Sequence, residues 1–319
     1  MTRLTLVSAA LLAVVVCATS AQTPREAPQT APAPRQAPGA PFRAGVDVVS
    51  LNITVMDAAN HYVSDLEQTD FSVFEDGAKQ DLTFFNRRIQ PVALSMLLDS
   101  SASMEDKLPV LQTAAINFVH RLKPTDLAQI IDFDSRVEIR QSFTANQADL
   151  VAAINQIAAG GSTSLHNAVY IALKELKKIR AQSDEDVRRQ ALIVFSDGED
   201  TSSLVSFDEV LDLAKRGETA IFTISLRGTD TQSKGFREAE FVMRQLAQET
   251  GGRAFFPTKI EDLNGVYGQI ADELASQYSL GFISRNAKRD GAWRQLVVQI
   301  ARPGATPRTK RGYYAPVSR

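Results

Sequence analysis

The centre of the chain, residues 91–276, alternates short apolar stretches with amphipathic segments. Nearly continuous apolar stretches are typical of strands buried on both faces of a sheet. The segments between them carry apolar residues at three- and four-residue spacings, the period of helices with one buried face. This alternation predicts an α/β fold, a doubly wound, mostly parallel sheet with helices on both faces. Residues 136–143 predict a further edge strand, antiparallel to its neighbour. The predicted central strands span residues 92–98, 127–133, 191–195, 220–226 and 253–256.

Two regions that flank this central domain, residues 45–90 and 277–319, have a different pattern. They show the two-residue alternation of half-buried strands, and Asp-Gly dipeptides at 76–77 and 290–291 favour hairpin turns. Neither region has enough apolar residues to form a core alone. We therefore expect the C-terminal segment to pair with the N-terminal one in a small β-sandwich beside the central sheet.

The first 21 residues have the features of a signal peptide. Arg3 precedes an apolar run at residues 4–17, and small residues precede a cleavage point after Ala21. The run is too short to span a bilayer comfortably, so we expect no transmembrane segment in the mature chain. We expect a protein that is secreted, or held in the periplasm or cell envelope. An uncleaved anchor and a lipoprotein modified at Cys17 are the alternatives.

Residues 22–44 predict a disordered linker, because six of the 13 prolines of the chain lie in this part of it. Such a segment forms neither helices nor ladders and is extended in the manner of polyproline. It would serve either as a spacer for the folded part or as a passive leader.

Composition excludes several classes of function. The 35 Lys and Arg residues against 37 Asp and Glu give a formal charge of −2, so the chain has no basic field for nucleic acid. Three histidines and one cysteine argue against zinc sites and histidine-based catalytic triads. We expect neither nucleic acid as a partner nor a zinc-protease chemistry.

Carboxylate and hydroxyl side chains follow the predicted central strands at their carboxyl ends, where ligands bind in open α/β sheets. The candidates are Asp99, Ser101 and Ser103 in the loop after the first strand, Thr163 in a glycine-rich loop before a helix, and Asp197 after the third strand. Hard oxygen ligands without His or Cys suit Mg²⁺ or Mn²⁺ rather than zinc. The sequence therefore predicts a divalent metal site at this edge.

At these five residues the chain resembles the von Willebrand factor A domain family, with its metal-ion-dependent adhesion site. The resemblance covers residues 91–276, and the flanking regions resemble those of related proteins abundant in acidobacteria. It implies that Ser101 and Ser103 bind the ion directly, that Thr163 binds directly or through water, and that Asp99 and Asp197 act partly through bridging waters. A Glu or Asp carboxylate of a partner protein would complete the octahedron.

One departure from the family pattern is Asn167, where relatives often carry Asp, and the lost charge would weaken metal binding.

The leading hypothesis is an exported, non-enzymatic module for metal-dependent protein binding. The first alternative is a Mg²⁺-dependent hydrolase or phosphoryl-transfer enzyme with Asp99 as nucleophile. Against this alternative, the chain has Ser101 rather than an acidic residue two positions after Asp99, and it has no Walker-type glycine loop. The second alternative is a structural envelope protein with a vestigial site.

Overall fold

The computed structural model describes residues 47–88, 90–179, 188–196, 200–226 and 234–317. The predicted signal peptide and the linker lie outside these residues. The strands are β1 (Val48–Met56), β2 (Phe71–Glu75), β3 (Ala78–Gln80), β4 (Leu82–Asn86), β5 (Val92–Asp99), β6 (Leu127–Phe133), β7 (Val137–Thr144), β8 (Arg189–Phe195), β9 (Ala220–Ile224), β10 (Ala254–Phe255), β11 (Tyr278–Ile283), β12 (Trp293–Ile300), β13 (Thr306–Arg308) and β14 (Gly312–Tyr314). The helices are α1 (Leu108–Val119), α2 (Gln147–Asn155), α3 (Leu165–Leu176), α4 (Phe207–Arg216), α5 (Lys234–Thr250) and α6 (Leu263–Ala275).

The central sheet has the strand order β10-β9-β8-β5-β6-β7. Its strands pair in parallel except β7, which is antiparallel to β6. The predicted α/β fold and its antiparallel edge strand are therefore confirmed. β9 and β10 are shorter than predicted, because each is regular over only part of its segment, Ala220–Ile224 and Ala254–Phe255.

Helices cover both faces of this sheet. On β5, Leu94, Met96 and Leu98 pack into one core together with α1, α2 and α6, whereas Ala93 and Leu97 face the opposite core with α3, α4 and α5. Burial on both faces explains why β5 reads as a continuous apolar run rather than an alternating one. Among the described residues, no helix has the length and apolarity needed to cross a bilayer.

The two flanking regions pair with each other in two four-stranded sheets, β13-β1-β11-β4 and β14-β12-β2-β3. In each sheet strands from before the central domain hydrogen-bond to strands from after it, as in the β1–β11 and β2–β12 pairs. Apolar side chains of both sheets share one core, which includes Leu51, Ile53, Phe71, Tyr278 and Leu296. The predicted small β-sandwich is therefore confirmed.

One predicted hairpin is present and the other is not. At residues 76–77 the turn joins β2 to β3, and both residues have the positive φ that such a turn requires. At residues 290–291 the prediction was wrong, because β11 and β12 lie in different sheets. β11 is already paired on both edges, with β1 and β4, so β12 cannot join it. The Asp-Gly dipeptide fixes only a local turn, in which Gly291 has φ +67°.

Candidate metal centre

Asp99 is the last residue of β5, and its carboxylate is completely buried. Its Oδ1 accepts a hydrogen bond from the Ser101 amide at 2.8 Å, and its Oδ2 accepts one from the Ser196 hydroxyl at 2.5 Å. The prediction that Asp99 lies in the loop after the first strand is therefore wrong, because Asp99 is still part of that strand. The β5–β6 ladder continues through Asp99, so the side chain is held between two strand ends.

Ser101 and Ser103 lie in the loop after β5, where a short 3-10 turn spans Ala102–Met104. Ser101 is buried, Ser103 is exposed, and their hydroxyl oxygens are 3.2 Å apart. Adjacent ligands of an octahedral magnesium ion, each about 2.1 Å from the metal, lie about 3 Å from each other. The spacing of the two hydroxyls therefore fits binding to one ion.

The glycine-rich loop before α3 lies directly against the loop after β5. The Gly160 amide donates to the Ser100 carbonyl at 2.7 Å, and the Ala102 amide donates to the Gly161 carbonyl at 3.1 Å. Gly161 has φ +71°, and an added Cβ would lie 2.5 Å from the Ser135 hydroxyl oxygen. Only glycine fits this approach without strain.

Thr163 is buried within this arrangement and is fixed through its backbone. Its amide donates to the Thr201 hydroxyl at 3.0 Å, and its carbonyl accepts from the amides of Thr201 and Ser202 at 2.8 and 3.1 Å. These contacts fix the Thr163 backbone on both its amide and its carbonyl side. The structure thus brings the Thr163 loop to the same edge as Asp99, Ser101 and Ser103.

Asp197 lies outside the described residues. The part of the same loop that the structure does describe, residues 200–206, is fastened to the start of α3. Asp200 Oδ1 accepts from the His166 amide at 3.2 Å, and Asn167 Oδ1 accepts from the amides of Leu204 and Val205 at 3.1 and 3.2 Å. Asn167 therefore positions this loop, a role that sequence reasoning missed.

A second buried carboxylate, Asp132 near the end of β6, adjoins the site without belonging to the predicted set. It accepts from the Ser100 hydroxyl at 3.2 Å and from Arg140 Nε at 2.9 Å. Burial raises the pKa of Asp132, although the Arg140 hydrogen bond opposes this effect. Because it pairs with Arg140 of β7, Asp132 links β6 to β7 at the edge of the sheet.

The chemistry of the described donors fits a hard divalent cation. In the part of the chain that the structure describes, no group of three or more His, Cys, Asp or Glu side chains could hold a metal. The candidate set is instead made of hydroxyl oxygens and the Asp99 carboxylate, with Asp197 to be added from outside the described residues. Such a set suits Mg²⁺ or Mn²⁺.

A match to a protein-family model supports the resemblance at the level of the domain. Residues 94–199 match the family model described as von Willebrand factor type A domain. The von Willebrand domain of the type V pili tip protein Mfa5 from Porphyromonas gingivalis is 13% identical, with a TM-score of 0.48 over 58% of this chain and 95% of that one. A von Willebrand factor type A protein from Catenulispora acidiphila is 11% identical, with a TM-score of 0.49 over 86% and 76%.

A third similar structure is proximal thread matrix protein 1 from the mussel byssus with a zinc-occupied MIDAS motif, where MIDAS is the adhesion site named above. It is 14% identical, with a TM-score of 0.49 over 59% of this chain and 49% of that one.

Proposed function

We propose that this von Willebrand factor type A-like chain is a non-enzymatic protein-binding module of the adhesion or interaction type. It would hold Mg²⁺ or Mn²⁺ at Asp99, Ser101, Ser103, Thr163 and Asp197. The observation that carries the proposal is the 3.2 Å separation of the Ser101 and Ser103 hydroxyl oxygens beside the buried Asp99 carboxylate. Two neutral hydroxyls at the spacing of adjacent ligands are what a magnesium site needs from this loop.

The partner's contribution follows from charge. Ser101, Ser103 and Thr163 are neutral ligands, so the ion would keep much of its positive charge in a site built mainly from them. An incoming Asp or Glu carboxylate of a partner would then gain strongly from direct coordination. The exposure of Ser103 supports approach from solvent on this side. We therefore propose recognition of an acidic side chain on another protein.

The geometry of Asp99 favours binding over nucleophilic catalysis. Both of its oxygens accept hydrogen bonds, and the carboxylate has no exposed surface from which to attack a phosphorus or carbonyl centre. A nucleophile must reach its target in line, within about 3–3.5 Å. A carboxylate buried in this way can stabilise a bound ion through its negative charge from the protein side of the site.

We also propose export, with cleavage of the signal peptide after Ala21 and location outside the cytoplasm or in the cell envelope. Intact-mass measurement of the protein purified from its native cells tests this, and the expected mature chain begins at Gln22. A chain that starts at Met1, or a lipid on Cys17, would contradict cleavage at this position.

Capture from envelope extract tests the binding function. Immobilised wild type is expected to retain partner proteins in Mg²⁺ or Mn²⁺ and to release them in EDTA. Asp99→Asn should fail to retain them, whereas Ser100→Ala, a change of the neighbouring buried serine, should behave as wild type. Capture that is the same with chelator would contradict the proposal. Turnover of a generic phosphate ester by wild type, lost in Asp99→Asn, would favour the enzymatic alternative.

A further inference from the structure

A large cavity lies at the opposite end of the central sheet from the candidate metal centre. Its volume is about 750 Å³, and it is lined by the first residues of β8 and β9, Arg189 and Ala220, and by residues of β1, β4 and β11. The metal candidates follow the carboxyl ends of the parallel strands, whereas this cavity opens at their amino ends. It is therefore a separate place, between the central sheet and the flanking sheet that contains β1.

The charge of the lining is mostly positive. Among the charged lining residues that the structure describes, Glu218 is the single carboxylate. The cationic residues are Lys177, Arg188, Arg189, Arg216 and Lys310. Arg216 is neutralised in part by Asp212, with 2.7 Å between Nε and Oδ2. The positive charge of Lys177, Arg189 and Lys310 attracts an anion, because low-dielectric walls strengthen electrostatic attraction.

Arg189 is fixed in the cavity wall by neutral acceptors. It is 5% exposed, and its guanidinium donates to the Gln277 side chain at 3.2 Å and to the carbonyls of Gln90 and Leu274 at 3.1 and 2.7 Å. Its Nε has no hydrogen-bond partner among the described residues. Burial lowers the pKa of Arg189 to about 10, so the group is still charged at neutral pH. The charge of Asp126 opposes this lowering, and the guanidinium is a fixed, largely desolvated positive charge in the cavity wall.

Lys310 is held in place by its backbone. The Thr309 hydroxyl donates to the Asn52 carbonyl at 2.8 Å, which ties this segment to β1. Gly251 has φ +81°, and an added Cβ would lie 2.5 Å from the Lys310 amide nitrogen, so the two segments are in close contact. Burial lowers the pKa of Lys310, and the charge of Glu218 opposes this only in part. Burial therefore disfavours the charged form of Lys310, a residue of the cavity lining, unless an anion pairs with it.

We propose that this cavity is a binding site for a small organic anion, whose acidic group is neutralised by Lys310 and Arg189. The volume is that of ordinary small-molecule sites, about 300–1,000 Å³. Phe84 and Leu213 also line the cavity and offer apolar surface to the body of the ligand. A desolvated cation is costly when it is alone, so an anion that pairs with it binds favourably.

The test uses phenyl phosphate, inorganic phosphate and neutral benzyl alcohol as probes, with calorimetric titration and thermal melting of the full chain. EDTA is present throughout, so that failure or success of the metal site has no effect on the result. We expect saturable binding of one phenyl phosphate, weaker binding of inorganic phosphate and none of benzyl alcohol. Absence of saturable binding by both anions would overturn the proposal.

Lys310→Met separates a ligand-binding role from a structural one. It should weaken phenyl phosphate binding by roughly tenfold or more, the worth of one charge-assisted hydrogen bond. It should also raise the melting temperature in probe-free buffer, because it removes a desolvated charge. Lys288→Met, a change of an exposed lysine outside the cavity, should alter neither quantity.

A second variant covers the case in which Lys310→Met does not fold. Lys177 lies at the end of α3, is exposed and lines the same cavity, so Lys177→Ala should leave the fold intact. It should weaken phenyl phosphate binding by a smaller factor and reduce its dependence on salt. If both variants fold and both bind phenyl phosphate with the affinity of wild type, the proposal is overturned. If Lys310→Met does not fold, unchanged affinity in Lys177→Ala overturns it.

Discussion

Asp99→Asn is expected to abolish the stabilisation of the protein by metal while leaving the metal-free form folded. On the proposed function, Mg²⁺ or Mn²⁺ at a hundredfold excess over its dissociation constant raises the free energy of unfolding of wild type by about 2.7 kcal/mol. The asparagine oxygen can still accept from the Ser101 amide, and its NH₂ group can donate to the Ser196 hydroxyl. Both described hydrogen bonds of the carboxylate are thus replaced, whereas the charge that attracts the ion is lost.

Urea unfolding with Mg²⁺, with Mn²⁺ and with EDTA measures this increment in each variant. The matched control is Ser100→Ala, because Ser100 is as buried as Ser101 and its hydroxyl bonds to Asp132 rather than facing Ser103. Ser100→Ala should keep the increment, and Ser101→Ala should lose it. A wild type without any metal increment, or an Asp99→Asn protein that keeps it, would exclude the metal site and favour the vestigial one.

The choice of asparagine depends on a detail that sequence reasoning could not supply. Asp99 follows an apolar run, and the sequence alone suggests a loop residue exposed to solvent. Its burial depends on Ser196, which is 97 positions away along the chain and reaches the carboxylate only because β8 pairs with β5. An alanine at position 99 would therefore leave two donors without an acceptor, which costs about 1–3 kcal/mol for each buried group.

The central sheet was predictable because strands that are buried on both faces are nearly continuous apolar runs in the sequence. β6 begins and ends where the apolar run does, and α3 begins and ends with its apolar stripe. The sandwich was predictable by a different argument, since two alternating regions without cores of their own need each other. Which strand joins which sheet was not predictable, as the missing hairpin between β11 and β12 shows.

The second large effect is expected at the junction between the sandwich and the central domain. Arg308→Met should lower the free energy of unfolding by about 3–5 kcal/mol, the usual cost of leaving a buried charge without its partner. Glu273, on α6, is completely buried and forms an ion pair with Arg308 of β13. Its other described hydrogen bond comes from the neutral Thr54 hydroxyl at 3.3 Å, which cannot replace a cation.

The double variant Arg308→Met/Glu273→Gln should recover most of that loss, because a neutral amide in place of the carboxylate needs no counter-charge. In Arg308→Met alone the buried carboxylate of Glu273 is left without its counter-charge, and this is the cost that the second substitution removes.

The matched control is Arg302→Met, which removes an arginine from the same segment of the chain. Arg302 pairs with Asp65 at 2.7 Å, but the two side chains are 41% and 71% exposed, so water screens both charges. This change should cost no more than about 1 kcal/mol, as for other surface pairs. Urea unfolding compares the three proteins with wild type. Equal losses of unfolding free energy in Arg308→Met and Arg302→Met would contradict this prediction. So would a double variant that is no more stable than Arg308→Met.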